Sequence, residues 1–404
     1  MSDRSEDERT DASLPTSAKG FAMINTDYTF FSDDQIRNSK PETILNRMLS
    51  TKSYISTTSS IAAISQQAQE DTEQRGFKQI GSGQCGTVYA LIGTTEVLKV
   101  PNPGKMDGLW NDAQMHKQVE EAFGRTSLEL RQHINIPRFG QWVLPADTTF
   151  WNRYRKYFPQ SFQPTHGIVS NRIFALPFPV RAAIFDSFAA RGIQKSRDSH
   201  LAKPENKDCL VRLYLGRRFK EVTRSTIALR NFPLHANDME HLGLDTSMYA
   251  KTIANALAII HWEAKVDAND VEFVLGSAPK LRTPASAAEM KNSSPDDPKF
   301  LRQTLNFNYR SVGIWLLDFN NCKGFPENDA GLKQLVDGFY WNDPYYPRPV
   351  NMTAEDRKLW ETFKQAYLEA SSKLIKSNGP RLFIEAVEIE GKKRSQSAAG
   401  SLFG

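Results

Sequence analysis

The sequence predicts an α+β protein in two lobes, a small antiparallel β-rich N-lobe and a larger, mainly helical C-lobe, behind a partly disordered N-terminal extension. Three observations carry that expectation. Residues 77–100 are rich in β-branched and aromatic types and broken by short glycine turns, the pattern of a strand meander. The clearest helix runs from Thr246 to His261, where Tyr249, Ile253, Ala256, Leu257 and Ile260 recur at helical spacing behind Asp245 or Thr246 as cap. Residues 1–20 are charged and rich in Ser, Thr and Asp, too polar to bury a core of their own.

The elements follow in order. Residues 1–75 read as a loosely structured extension with weak helical signals. The best of them is Pro41–Leu49, with Pro41 at the first helical position and Ile44, Leu45, Met48 and Leu49 on one face. The N-lobe spans 76–178. Phe77–Ile80 leads into a glycine loop, Thr87–Ile92 follows, and Glu96–Val100 returns after a turn at Gly93-Thr94-Thr95. A helix is expected over 109–123, and strands at 168–169 and 172–176. The C-lobe spans 179–380. It includes polar stretches near 189–208 and 277–310 that read as mobile insertions, an apolar strand at Gly313–Leu317, a rigid turn at Asn342–Pro349 and an amphipathic helix over 354–376. Residues 381–404 read as a tail, small and polar from Gly391.

Composition narrows the function classes. The chain has 404 residues, a net charge of +5 and three cysteines at 85, 209 and 322, spaced for neither a disulfide framework nor a zinc ribbon. Residues 1–75 carry 8 Lys+Arg against 12 Asp+Glu, so the positive charge belongs to the rest. No basic–aromatic stripe accompanies it, and no nucleic-acid partner is expected. No apolar run of spanning length occurs, and the N-terminus resembles neither a signal nor a transit peptide, so neither a membrane partner nor export is expected. The expected compartment is intracellular, cytoplasmic rather than nuclear.

Chemistry concentrates in three places. Gly81-x-Gly83-x-x-Gly86 is followed by a strand, not a helix. That excludes a dinucleotide fingerprint and fits a hairpin lid whose backbone N–H groups approach phosphates unobstructed by Cβ atoms. A glycine-rich turn without function has the same residues. Val88 and Lys99 stand where such a lid places a valine and a strand lysine that pairs with phosphate oxygens; an edge lysine facing water is the plainer reading. The acid partnering Lys99 stays open among Asp112, Glu120 and Glu121.

After the capped helix, Lys265-Val266-Asp267-Ala268-Asn269-Asp270-Val271-Glu272 passes through a polar loop into a strand. Asp267 is the candidate catalytic acid, Glu272 a candidate Mg²⁺ ligand, and Asp270 a rival for either role. The same tetrad is also good turn chemistry. Trp315-Leu316-Leu317-Asp318-Phe319-Asn320 ends an apolar strand on a carboxylate suited to Mg²⁺.

In this order the motifs resemble the protein-kinase-like superfamily, including the aminoglycoside and choline phosphotransferases, over roughly residues 76–345. Blocks such as Leu229-Arg230-Asn231-Phe232-Pro233-Leu234 and Asn342-Asp343-Pro344-Tyr345-Tyr346-Pro347-Arg348-Pro349 also resemble an uncharacterised fungal family of unknown function. The first resemblance implies an ATP- and Mg²⁺-binding cleft between the lobes and an atypical phosphotransferase acting on an unknown acceptor. The alternative is a catalytically impaired, pseudokinase-like interaction or regulatory module with an unknown protein partner. Lys265 replaces the usual histidine, Glu272 the usual asparagine and Asn320 the usual glycine, and no Ala-Pro-Glu motif follows.

Overall fold

Alternating β-branched residues and helical periodicities give a computed structural model that mixes helices with two β-sheets and describes residues 29–56, 76–281, 287–292, 294, 305–350 and 353–401. The strands are β1 (Thr29–Phe31), β2 (Ser53–Ser56), β3 (Phe77–Ser82), β4 (Gly86–Leu91), β5 (Glu96–Pro101) and β6 (Ile134–Asn135). They continue with β7 (Phe139–Val143), β8 (Gly167–Asn171), β9 (Val211–Tyr214), β10 (Phe232–His235), β11 (Glu272–Leu281) and β12 (Leu305–Leu317).

The expected meander forms one wall. β3, β4, β5, β8 and β7 pair in that order as an antiparallel five-stranded sheet, with Val88 opposite Lys99. Gly93, at φ 79°, makes the tight β4–β5 turn. The Met106–Arg125 helix crosses behind this sheet, burying Leu109, Ala113, Val119, Ala122 and Phe123.

The second sheet runs β1-β2-β12-β11-β9-β10, with β6 beside β12. The larger part of the chain is therefore built on a mixed sheet as well as on helices. The apolar strand expected at Gly313–Leu317 is the end of the longer β12, and the 172–176 candidate forms no strand beyond a single bridge from Phe174 to Ser277. The Thr246–Ala258 helix is capped by Asp245, whose carboxylate accepts from the Met248 N–H at 3.0 Å. One π turn, Ile259–Glu263, carries it through His261. Trp262 donates to the Tyr367 hydroxyl at 2.8 Å, and His261 Nδ1 lies 2.8 Å from the same oxygen. Burial holds that imidazole down at about 3, so it is neutral.

Three organisational expectations change. Residues 29–56 belong to the main core rather than to a loose extension. The Pro41–Leu49 helix forms as its periodicity demands, and Leu45, Met48, Leu49 and Ile55 are fully buried in the same cluster as Ile253 and Phe273. Tyr249 donates to the Leu49 carbonyl at 2.6 Å, and Asn46 to that of Leu242 at 2.8 Å. The tail is the Gly379–Ser401 helix, which buries Phe383, Ile384 and Val387. Polar composition hid this because only one stripe of that helix is apolar.

The stretch 189–208 packs as short helical turns that bury Leu201 and Asn206. The disorder expected for 1–20 lies outside the described residues, as do 57–75 of the extension and most of 282–304 in the other insertion. Among the described residues no helix is long and apolar enough to cross a membrane.

Because Leu45 is wholly buried, Leu45→Ala should cost about 2–5 kcal/mol in urea unfolding. A loosely attached segment would lose no more than about 0.5 kcal/mol.

Candidate functional site

Lys99 decides the geometry of the site. Its strand β5 lies between β4 and β8, so it is no edge lysine, and its side chain reaches Asp112 on the Met106–Arg125 helix. Nζ donates to Asp112 Oδ2 at 2.7 Å and to Asp318 Oδ1 at 3.5 Å. Asp112, early on the Met106–Arg125 helix, is therefore the partner that sequence left open. Glu120 and Glu121 instead meet Lys117 on the helix surface. Burial opposes the charge of Lys99, but the two carboxylates outweigh it and hold the ammonium above its usual range.

The same helix fixes the Asp318 loop. Asp112 Oδ1 accepts from the Phe319 N–H at 3.0 Å, and Asn111 donates to the carbonyls of Asn320 and Cys322 at 2.9 Å each. His116, one turn on, stacks on Phe319 at 5.3 Å. Asp318 has φ 67°, so the chain turns sharply where β12 ends.

The glycines differ in kind. A Cβ on Gly86 would lie 2.5 Å from the Val100 carbonyl oxygen, so packing alone demands glycine there. Around Gly81 and Gly83 a Cβ would meet nothing closer than 3.5 and 3.8 Å. Packing does not require glycine at those two, and both line the cavity. Asn102 pins the hairpin, donating to Gly83 O at 2.8 Å and accepting from the Thr87 hydroxyl at 3.0 Å. Neither Asn102 nor Asn111 carried a sequence signal, since each acts on backbone atoms that only folding brings near.

A cavity of about 290 Å³ brings together Gly81, Gly83, Gly86, Val88, Lys99, Asp112, Glu272 and Asp318. Val97, Ile168, Leu210 and Leu317 give it an apolar side. Asn171 Oδ1, Arg172 Nε and Arg212 Nε, from lining residues, are buried without hydrogen-bond partners.

Two acids lie differently from expectation. Asp267 is buried and does not line the cavity. Its Oδ1 accepts from the N–H groups of Lys323 and Asn269, and its Oδ2 from Gln334 at 2.7 Å. These bonds make it a clamp for its own loop, the turn chemistry that sequence offered as the plainer reading. Glu272 does line the cavity, but its carboxylate is bonded to Arg212. Burial nevertheless pushes Glu272 up to about 7, with Asp318 and Asp270 adding to the rise. Burial likewise raises Asp318 against the pull of Lys99.

Asp270, half-buried at φ 67°, is the acid whose charge reaches both Glu272 and Asp318. Its backbone N–H donates to Asn342 Oδ1 at 2.6 Å, and Asn342 Nδ2 donates to the Ala268 and Val271 carbonyls. Asn342, on the turn read as merely rigid, therefore shapes the loop.

The family model that matches the chain is DUF3669, described as a zinc finger protein, over residues 314–379. No curated protein matches the chain. The likeness drawn from the motifs is corrected by this: the matching family is the one so described, and no kinase-like family model accounts for the chain. The residues do not fit a zinc finger. Residues 314–379 contain one cysteine, Cys322, and no histidine, and the Cys322 thiol is buried against the Asn269 carbonyl at 3.3 Å. Among the described residues one group has three metal-type ligands close together, Cys85, Asp112 and Asp318, and Lys99 already occupies its centre.

Raised carboxyl groups give a signed prediction. Glu272 and Asp318 give up their protons at higher pH in the folded chain than in the unfolded one, so their contribution to stability is full below their unfolded range and lost as pH rises. For Glu272 that loss spans from its ordinary 4.5 to about 7. Thermal melts across this window should fall with pH, and Glu272→Gln should flatten the fall.

Proposed function

We propose that the chain binds a Mg²⁺–nucleoside triphosphate between the five-stranded sheet, as a small lobe, and the rest of the molecule. The observation that carries this reading is Lys99 held between Asp112 and Asp318 beneath a glycine hairpin, at the edge of a cavity with an apolar side. Such a buried ammonium is fixed in direction before any ligand arrives, which suits it to phosphate oxygens. Gly81 and Gly83 leave no Cβ in the way of the same oxygens, while the Gly83 N–H closes the hairpin on the Gly86 carbonyl at 2.8 Å. Val88, Val97, Ile168 and Leu317 suit the face of a base.

Asp318 is the first candidate for Mg²⁺, and Glu272 the second once Arg212 turns to the ligand; these are hard oxygen donors, as Mg²⁺ requires. The ion would supply charge neutralisation on the phosphates. Transfer of the terminal phosphoryl group to an acceptor hydroxyl breaks the bond to the leaving phosphate oxygen, forms one to the acceptor oxygen and releases the hydroxyl proton. Asp270, whose charge reaches both Asp318 and Glu272 and whose Oδ2 accepts from Asn321 at 2.6 Å, is the proposed recipient. A second reading, binding without transfer as an interaction module, is favoured by the enclosure of Asp267 and by the Arg212–Glu272 pair.

Saturating ATP–Mg²⁺ at a hundredfold excess over Kd should stabilise the chain by about 2.7 kcal/mol, read as a thermal shift. Lys99→Ala should abolish that shift; an unchanged shift in Lys99→Ala, or none in the wild type, rejects the site. Phosphate release that disappears in Asp270→Asn separates transfer from the binding-only reading. Metal must meet ionised carboxylates, so Mg²⁺ dependence should strengthen as pH rises through about 7 and weaken below it. Titration calorimetry at several pH values measures this.

A further inference from the structure

The end of the cavity near β8 carries charge of the opposite sign. Asn171 and Arg172 are each more than nine-tenths buried, and each keeps a side-chain atom without a partner, Oδ1 and Nε respectively. The carboxylate facing Arg172 is Asp208, 3.9 Å from Nη2 and too far for a hydrogen bond. Asp208 is also shared, since Arg230, Arg181 and Lys78 feel its charge. Behind this group Arg172 and Arg310 both lie against the Phe174 ring, their guanidinium carbons 4.7 and 4.3 Å from its centre. Several cations thus converge on a single carboxylate, in a setting where an uncompensated buried charge is costly.

Arg230 gives this excess a direction. Its Nη2 donates to the Ile80 carbonyl at 3.1 Å and lies 3.8 Å from where a Gly81 Cβ would be. It therefore stands at the base of the glycine hairpin, whereas Gly83 to Gly86 form the tip. A nucleotide with its phosphates toward Lys99 and its base on the apolar side presents its sugar to this base. The sugar then faces two guanidinium groups and one distant carboxylate.

We infer that this end of the cavity is a second anion subsite, and that the nucleotide it takes carries a phosphate on its ribose in addition to those on the 5′ side. The inference rests on the nucleotide reading and deepens it by naming the ligand class. Arg172 and Arg230 offer planar N–H pairs to phosphate oxygens, and the ligand's charge supplies what Asp208 alone does not.

The test compares AMP with adenosine 2′,5′-bisphosphate and adenosine 3′,5′-bisphosphate by titration calorimetry on the full chain, alongside ATP–Mg²⁺. One bisphosphate should bind about tenfold or more tightly than AMP, the value of one charge-assisted hydrogen-bonded contact. Which bisphosphate gains tells the ribose position. Arg230→Gln should bring that ratio toward one, and Asp208→Asn, which removes the competing carboxylate, should increase it. Melting curves show that each variant is folded, and the Asp208 variant keeps the test decisive if an arginine variant unfolds. Equal affinities with ATP–Mg²⁺ still bound, or a ratio indifferent to both substitutions, overturn the subsite and leave the nucleotide reading standing. Failure of ATP–Mg²⁺, AMP and both bisphosphates to bind overturns both.

Discussion

A lysine ammonium taken out of water must be met by negative charge, and the position of Lys99 therefore dictates where three separate elements lie. β5 supplies the cation, the Met106–Arg125 helix supplies Asp112 and the end of β12 supplies Asp318. Asp112 satisfies two demands at once, one oxygen taking the ammonium and the other the Phe319 N–H. The helix cannot rotate without stranding both. The hairpin, the helix and the Asp318 loop are thus one electrostatic unit, and the cavity is the space this unit leaves open.

Backbone strain gathers around that unit. Among the described residues six non-glycine positions have positive φ, and Lys265, Ala268, Asp270 and Asp318 are four of them. Such conformations persist only where surroundings over-determine them. Here the surroundings are amides and carboxylates: Asn342 ties Asp270, Ala268 and Val271, and Asp267 ties Asn269 and Lys323. Asp267 is in this sense a structural counterpart to Asp270. The Asp267 carboxylate holds the loop on one side, and on the other the Asp270 carboxylate accepts from Asn321 at 2.6 Å.

Much of this was legible in the residues. The meander, the Asp245-capped helix and the Pro41–Leu49 helix follow from local chemistry, namely β-branching, a side-chain cap and an apolar stripe. Lys99, Asp318 and the glycine hairpin were also legible as candidates, because a charged residue on an apolar strand and glycines between strands stand out from their neighbours. The choice of Asp112 over Glu120 and Glu121 was not. Three acids on one helix differ only in which face they present, and the sheet packed against the helix fixes that face. The roles of Asp267 and Asp270, three residues apart in one loop, depend on Gln334, Lys323 and Asn342, all more than fifty positions away.

By itself the sequence determined the local elements and the inventory of chemistry, because caps, turns and periodicities act over a few residues. It also excluded a zinc finger, since metal ligands must exist before they can converge. The tertiary structure alone decided which charges meet, that residues 29–56 and 379–401 complete the core, and that one end of the cavity is acidic while the other gathers arginines. Those outcomes rest on contacts between distant segments, whose energies depend on burial and direction, and neither quantity is written in the order of residues.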